Sequence, residues 1–291
     1  MPKNIVLQID GGIGKCIAST ALIKATKKQY PSDNIIVISG YPEVYLNNPH
    51  ISKSLQFGNL NYFFTDNIEN KDVKLMLHNP YLEVDYVQEK QHLIKTWCEM
   101  FGIQYNGEMP ELYINKRELD FFQNKYKSDR PILLMQTNGG ANADLKYSFA
   151  RDLPSSVVVK VIDHFLSTHN IVHIRRDDQI SYDKTTPISA PFREILALAM
   201  LSSKRLLIDS FLQHACASLN LPSVVCWITN NPKVLGYEMH NNILCNPFTR
   251  TPELRNSVYG KFNIGGEPIE FPFNSEDEIF NVDKIIASLE I

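Results

Sequence analysis

The segment from Leu206 to Trp227 restricts the architecture more than any other part of the 291-residue chain. Leu206-Leu207-Ile208 is an apolar run, Asp209-Ser210 a polar turn, and residues 212–219 have helical spacing. Asn220-Leu221-Pro222 breaks the helix, and residues 223–227 form a second apolar run. Strands this uniformly apolar are covered on both faces, and a helix between them makes the connection a right-handed crossover. The pattern therefore predicts a parallel sheet layered by helices. It also sets a helix start directly after a strand end, where backbone N–H groups lack intrahelical partners and favour an anion. Asp209 and Ser210 occupy that turn, and His214, one helical turn in, is expected to donate to the same anion. A diphosphate is the expected guest. A helix cap accounts for Asp209 or Ser210 but leaves His214 unexplained.

The same alternation recurs elsewhere. Residues 5–9 and 34–39 read as strands flanking a helix that runs to Lys28, a βαβ unit. Between Tyr41 and Lys127 the pattern is less regular. Residues 44–46 and 81–84 suggest short elements, residues 92–101 and 116–126 helices, and residues 112–114 a strand. The polar, proline-broken Ser128-Asp129-Arg130-Pro131 marks the expected domain boundary. Strands are then expected at 131–136, 171–174, 205–208 and 223–227, and helices at 154–167, 192–201 and 212–219. A last helix is expected at 276–289, with Ser275 as its N-cap. Two alternating halves imply two Rossmann-like α/β domains facing across a cleft, residues 1–128 and 129–250. A tail, residues 251–291, is expected to pack back towards the first. Ligands in such folds lie outside the carboxyl ends of the strands.

Two glycine-containing turns follow strands and open towards that expected cleft. Asp10-Gly11-Gly12-Ile13-Gly14-Lys15 is neither a dinucleotide fingerprint, since Ile17 stands where a third glycine is required, nor a phosphate-binding P-loop, since Cys16 follows the lysine. It reads as a tight turn where backbone approaches a substrate flanked by Asp10 and Lys15, with Gly11, Gly12 and Gly14 on the acceptor side. The second turn holds Asn138, Gly139 and Gly140 and leads to Lys146 and Arg151, which can neutralise phosphate as a point charge and as a fork. Arg175-Arg176-Asp177-Asp178 also ends a strand but reads equally well as a solvated charge run.

A net charge of -3 argues against a broad electrostatic grip on nucleic acid. Only a local basic groove built from Lys24, Lys27, Lys28, Lys53 and Lys95 would supply one. Five cysteines without a CxxC spacing read as reduced core thiols of a cytoplasmic protein. No signal-peptide pattern opens the sequence, and no apolar stretch reaches the ~18 residues of a membrane span. No His/Cys/carboxylate spacing suggests a structural metal.

Taken together these segments resemble glycosyltransferase family 9, the ADP-heptose:lipopolysaccharide heptosyltransferases of GT-B architecture. Residues 5–15 with Ala21-Leu22-Ile23-Lys24-Ala25 and Tyr30-Pro31 are similar to the family's strand, turn, helix and "YP" break. Asn138-Gly139-Gly140 through Lys146-Tyr147-Ser148 resembles its donor-phosphate loop. Asp209-Ser210 with His214 resembles its Asp-Ser/Thr-Gly-x-x-His turn. Tyr41-Pro42-Glu43 and Asn47-Asn48-Pro49 also resemble segments in glycosyltransferase-like proteins of large tailed phages, for which the location would be the host cytoplasm. Two positions depart from the family. Its first-turn acid falls at Lys15, which leaves Asp10 as the nearest replacement for the base, and its glycine after Ser210 is Phe211, a ring able to narrow the site or stack on a base or sugar.

The resemblance implies an inverting transferase that moves a sugar from a nucleotide-diphosphate donor to an acceptor hydroxyl. Asp10 and His214 would be its catalytic residues, and Asn138, Gly139, Gly140, Lys146, Arg151, Asp209, Ser210 and Phe211 would hold the donor. Neither metal nor cofactor is expected, because no DxD-type carboxylate pair lies in the expected cleft. The acceptor is a glycan or lipid-linked saccharide. One alternative is a hydroxymethylated pyrimidine in DNA; another is a non-catalytic nucleotide-sugar-binding module on the same scaffold.

Overall fold

A computed structural model of the chain describes residues 3–139, 148–246 and 271–291. The chain divides into two compact units, residues 1–115 with 217–219, and residues 116–216 with 220–291. In the first, strands β1 (Asn4–Ile9), β2 (Asn34–Ser39), β3 (Lys53–Gln56) and β4 (Val73–Met76) form a parallel sheet of order β3-β2-β1-β4. Helix α1 (Ile13–Gln29) makes the crossover from β1 to β2. Ile5, Val6, Leu7 and Ile9 of β1 are buried, as expected for a central strand with both faces covered.

Helix α1 is enclosed well beyond one apolar stripe, for residues 15–23 are buried without interruption. Its buried hydroxyls therefore need internal partners. Ser19 and Thr20 donate back to the carbonyls of Cys16 and Ile17, and Thr26 to that of Leu22. Three further helices, α2 (Phe63–Asn67), α3 (Val84–Val87) and α4 (Leu93–Met100), complete this unit, and His92 caps α4 by accepting from the Ile94 N–H. The short elements expected at 44–46 and 81–84 are 3-10 turns at Pro42–Tyr45 and Pro80–Leu82. Residues 112–114, expected as a strand, form no element. The neighbouring Glu111 N–H donates to the Thr20 hydroxyl of α1, a side-chain partner that takes the place of a ladder.

The second unit carries β5 (Ile132–Met135), β6 (Asn170–Ile174), β7 (Thr186–Ile188), β8 (Lys204–Ile208), β9 (Val224–Trp227) and β10 (Asn241–Leu244). They form a six-stranded parallel sheet of order β10-β9-β8-β5-β6-β7. Chain order reverses between β5 and β8, which makes that pair the topological switch point of a doubly wound sheet. Helix α5 (Lys116–Lys125) belongs to this unit and not to the expected residues 1–128. Its Glu118 pairs with Arg193 and its Lys125 with Glu194, both on α7 (Phe192–Leu201). Between β5 and α7 lies α6 (Ser155–Phe165), whose Val157, Val158, Val161, Ile162 and Phe165 face the core. Helices α8 (Phe211–Ser218), α9 (Pro232–Leu235) and α10 (Val282–Glu290) follow. Ser275 starts only a 3-10 turn and makes no side-chain cap, whereas the Asn281 side chain caps α10 by accepting from the N–H groups of Asp283 and Lys284. All five cysteines are buried thiols, and no helix among the described residues is long and apolar enough to cross a membrane.

Candidate functional site

At the switch point of the second sheet, the chain leaving β5 and the chain leaving β8 meet through side chains. Gln136 donates to the Ser210 hydroxyl at 3.1 Å, which ties the two turns together. The Ser210 N–H is spent on the Ile208 carbonyl, and α8 starts at the next residue with no acid in its first turn. Asp209 is buried; its carboxylate accepts from the Asn230 amide beyond β9 and lies 4.0 Å from the Arg151 guanidinium. Arg151 thus offsets a negative charge that would otherwise oppose an incoming anion.

The turn after β5 is built on Asp152, which sequence reasoning did not single out. One carboxylate oxygen accepts the Gly139 N–H at 2.8 Å; the other accepts the Ser148 N–H at 2.9 Å and the Asn138 amide at 3.1 Å. Burial pushes the Asp152 carboxyl above its usual value, against the opposing pull of these donors and of Arg151. Gly139 is required by close approach. A Cβ there would lie 2.6 Å from Cδ of Arg151 and 3.3 Å from Cδ1 of Ile208, so a larger residue would push the arginine stem off its seat. Gly140 and Lys146 lie outside the described residues.

A second buried chain of contacts supports Asn138 from below. The Thr137 hydroxyl donates to Asn138 Oδ1 at 2.9 Å and therefore accepts from His173 Nε2 at 2.8 Å. That assigns the ring proton of His173 to Nε2 and leaves Nδ1, which has no partner among the described residues, as a bare acceptor. Burial, with the Arg175 charge nearby, pushes His173 down to about 4.

His214 has partners of its own. It is buried, with Nδ1 2.8 Å from the Tyr237 hydroxyl and Nε2 3.1 Å from the Gln213 amide nitrogen. Both ring nitrogens thus have partners inside the unit, and the Tyr237 contact ties α8 to the chain after α9. Phe211 is half-buried, its ring edge-on to Phe192 at 6.3 Å. Arg175 donates to the carbonyls of Asp177 and Gln179, and Arg176 pairs with Asp178, so that charge run closes on itself.

At the first sheet's switch point, between β1 and β4, the expected acceptor-side residues come together. Gly11 has φ +91°, a left-handed conformation that suits glycine, and Gly12 starts α1 without a side-chain cap, so Gly14 falls in the uncapped first turn. Asp10 is exposed. Lys15 is buried: its ammonium donates to Asp10 Oδ1 at 2.6 Å and to Asn79 Oδ1 at 3.0 Å, and stands 5.3 and 5.7 Å from the ring centroids of Tyr81 and Trp97. The lysine expected to touch substrate is turned inward instead.

Three of the five lysines of the candidate basic groove are paired with carboxylates, and the other two donate to neutral oxygens. Lys24 pairs with Glu111, Lys28 with Glu108 and Lys95 with Glu99, while Lys27 donates to the Asp33 carbonyl and Lys53 to Asn67. No group of three or more His, Cys, Asp or Glu side chains among the described residues is arranged to hold a metal ion.

No family model and no curated protein matches the sequence. Solved structures do match the fold. A glycosyl transferase family 9 protein from Veillonella parvula DSM 2008 superposes with a TM-score of 0.72 at 15% identity, over 99% of this chain and 96% of that one. ADP-heptose LPS heptosyltransferase II of E. coli gives 0.60 at 13% identity over 91% and 100%. The E. coli heptosyltransferase WaaC, solved with ADP, gives 0.59 at 8% identity over 89% and 99%. The chain therefore has the fold of these heptosyltransferase-like proteins, two Rossmann-like units of GT-B type.

Proposed function

We propose that this protein is a glycosyltransferase that moves a sugar from a nucleoside-diphosphate donor to an acceptor hydroxyl. The observation that carries the reading is the Gln136–Ser210 junction at the switch point of the six-stranded sheet. There a helix start with no acid in its first turn, an arginine paired with Asp209 and a glycine turn lie at the carboxyl ends of β5 and β8. Two of the structural relatives were solved as heptosyltransferases, one of them with ADP, which supports a donor of that chemical class.

In this reading the donor diphosphate lies over the first turn of α8 and against Arg151, with Ser210 and the Asn138–Gly139 backbone beside it and Lys146 as an additional cation. The leaving diphosphate gains charge as the glycosidic bond breaks, and each preorganised donor aimed at that charge lowers the barrier by roughly 3 kcal/mol. Protein groups supply this stabilisation without a metal ion. Phe211, braced by Phe192, is the surface for the base or the sugar. Asp10 takes the proton from the acceptor hydroxyl. Attack from the side opposite the leaving group inverts the anomeric centre. The acceptor is a glycan or lipid-linked saccharide.

A thermal-shift panel of nucleoside diphosphates and nucleotide sugars, followed by donor-consumption assays with saccharide acceptors, tests the reading. A ligand at a hundred times its Kd stabilises by about 2.7 kcal/mol, which raises Tm by roughly 5 °C in a chain of this size. One nucleotide class should produce that shift, and its sugar conjugate should be consumed when acceptor is present. A panel in which no nucleotide shifts Tm refutes the proposal. Tight donor binding without transfer to any acceptor would instead identify a non-catalytic binding module.

A further inference from the structure

We propose that Lys15 is a positioning residue that fixes the Asp10 carboxylate for proton abstraction. This inference rests on the transferase reading above. The Lys15 side chain is 4% exposed, whereas that of its partner Asp10 is 57% exposed. Burying an ammonium costs several kcal/mol unless the site compensates it. Here the inner side supplies Asn79 Oδ1 at 3.0 Å and two aromatic rings within 6 Å. The two ends of this pair are unequally exposed: the cation is locked in place and the carboxylate is held in the open.

The lock reaches both sides of the switch point. Asn79 follows β4, and its side-chain oxygen also accepts the Tyr81 N–H at 3.2 Å, so the ammonium is anchored to a rigid turn. On the β1 side, the left-handed Gly11 turn wraps the lysine stem, since a Cβ on Gly11 would stand 3.3 Å from Lys15 Cδ. Asp10 Oδ1 is therefore pinned at 2.6 Å, while Oδ2 has no partner among the described residues. In the transfer step the acceptor oxygen forms its bond to the anomeric carbon and its proton passes to Asp10 Oδ2. The bond from that carbon to the donor phosphate breaks, and its electron pair leaves with the diphosphate. Lys15 exchanges no proton; it sets where Oδ2 stands.

Lys15→Met tests this, because methionine keeps an unbranched stem beside the Tyr81 and Trp97 rings and removes the charge. The carboxylate it strands is exposed, so no unpaired buried charge remains. Misplacing a reacting group by about 1 Å costs roughly 100-fold in rate. The expected result is a kcat lowered about 100-fold with acceptor KM moved less than about 3-fold. Nucleoside-diphosphate affinity should be unchanged. Asp10→Asn should lower kcat at least as far, and the double variant should be no worse than Asp10→Asn alone, because the two residues act as one unit. A Lys15→Met protein with wild-type kcat, or losses that multiply in the double variant, overturns the positioning role while leaving the transferase reading intact. A wild-type protein that binds no nucleoside diphosphate removes both. A crystal structure of the wild type supplies an arm independent of variant folding: Asp10 should hold one rotamer on Lys15, and a carboxylate turned away from it overturns the inference.

Discussion

Lowering the pH from about 7 to about 4 should weaken the second unit through one buried side chain, His173. In the fold its ring sits at about 4, against an ordinary value of 6.5. The folded protein therefore binds fewer protons than the unfolded chain between these limits, and stability falls as pH drops through that window. The contribution is fully present above pH ~6.5 and is lost by pH ~4. A difference of roughly 2.5 units at 1.36 kcal/mol each gives about 3 kcal/mol. The structural cause is specific. Nε2–H already donates to Thr137, so protonation must occur at Nδ1, a buried atom with no hydrogen-bond partner among the described residues. His173→Gln keeps a donor for Thr137 and cannot titrate. Urea denaturation of both proteins at pH 7, 5.5 and 4.2 should show the wild type losing about 3 kcal/mol more than the variant. His169 and His240, which burial also pushes down, are common to both proteins and cancel in the difference. Equal acid losses in the two proteins, or a difference below about 1 kcal/mol, would refute the assignment of the proton to Nε2 and the isolation of Nδ1.

Other substitutions follow from the same geometry. Asp152→Ala removes the acceptor of three N–H donors, one of them on the buried Asn138, and should cost about 3 kcal/mol in urea denaturation while abolishing nucleotide binding. Retained nucleotide affinity would show that the turn after β5 does not build the donor site. Arg151→Met keeps the stem that lies on Gly139 but loses the charge; calorimetry should show diphosphate affinity weakened roughly 30-fold, equivalent to about 2 kcal/mol. Gly11→Ala forces a Cβ into the left-handed region, and chemical denaturation should report a loss of about 1–2 kcal/mol.

The strands that sequence reasoning found and those it missed divide by position. β1, β2, β5, β6, β8 and β9 were all legible, and every one lies inside its sheet. β3, β4, β7 and β10 were not, and they are the four edge strands of the two sheets. An edge strand has one flank open, so it does not need the continuous apolar run that announces a central one. Lys53–Gln56, with both ends exposed, and the largely exposed Thr186–Ile188 carry no such run. Helix α7 was readable to the residue because Ile195, Leu196, Leu198 and Ala199 mark its buried side at helical spacing.

The local geometry was legible where a pattern is local, as in the strand-to-helix turns at 10–14 and 209–210. It was not legible where partners come from distant parts of the chain. Asp152, Asn230 and Asn79 are unremarkable in sequence. They become informative once the fold sets Asp152 under Gly139, Asn230 on Asp209 and Asn79 on Lys15. For His214 the spacing from Ser210 suggests an anion donor, but its Tyr237 contact comes from a part of the chain that the one-dimensional pattern cannot place.

Diffraction from crystals soaked with a nucleoside diphosphate tests the account most directly. The diphosphate should lie at the start of α8, within hydrogen-bonding reach of Arg151 and beside the Gly139 turn. Ligand bound elsewhere, or an empty α8 start at a concentration that saturates binding in solution, would contradict it.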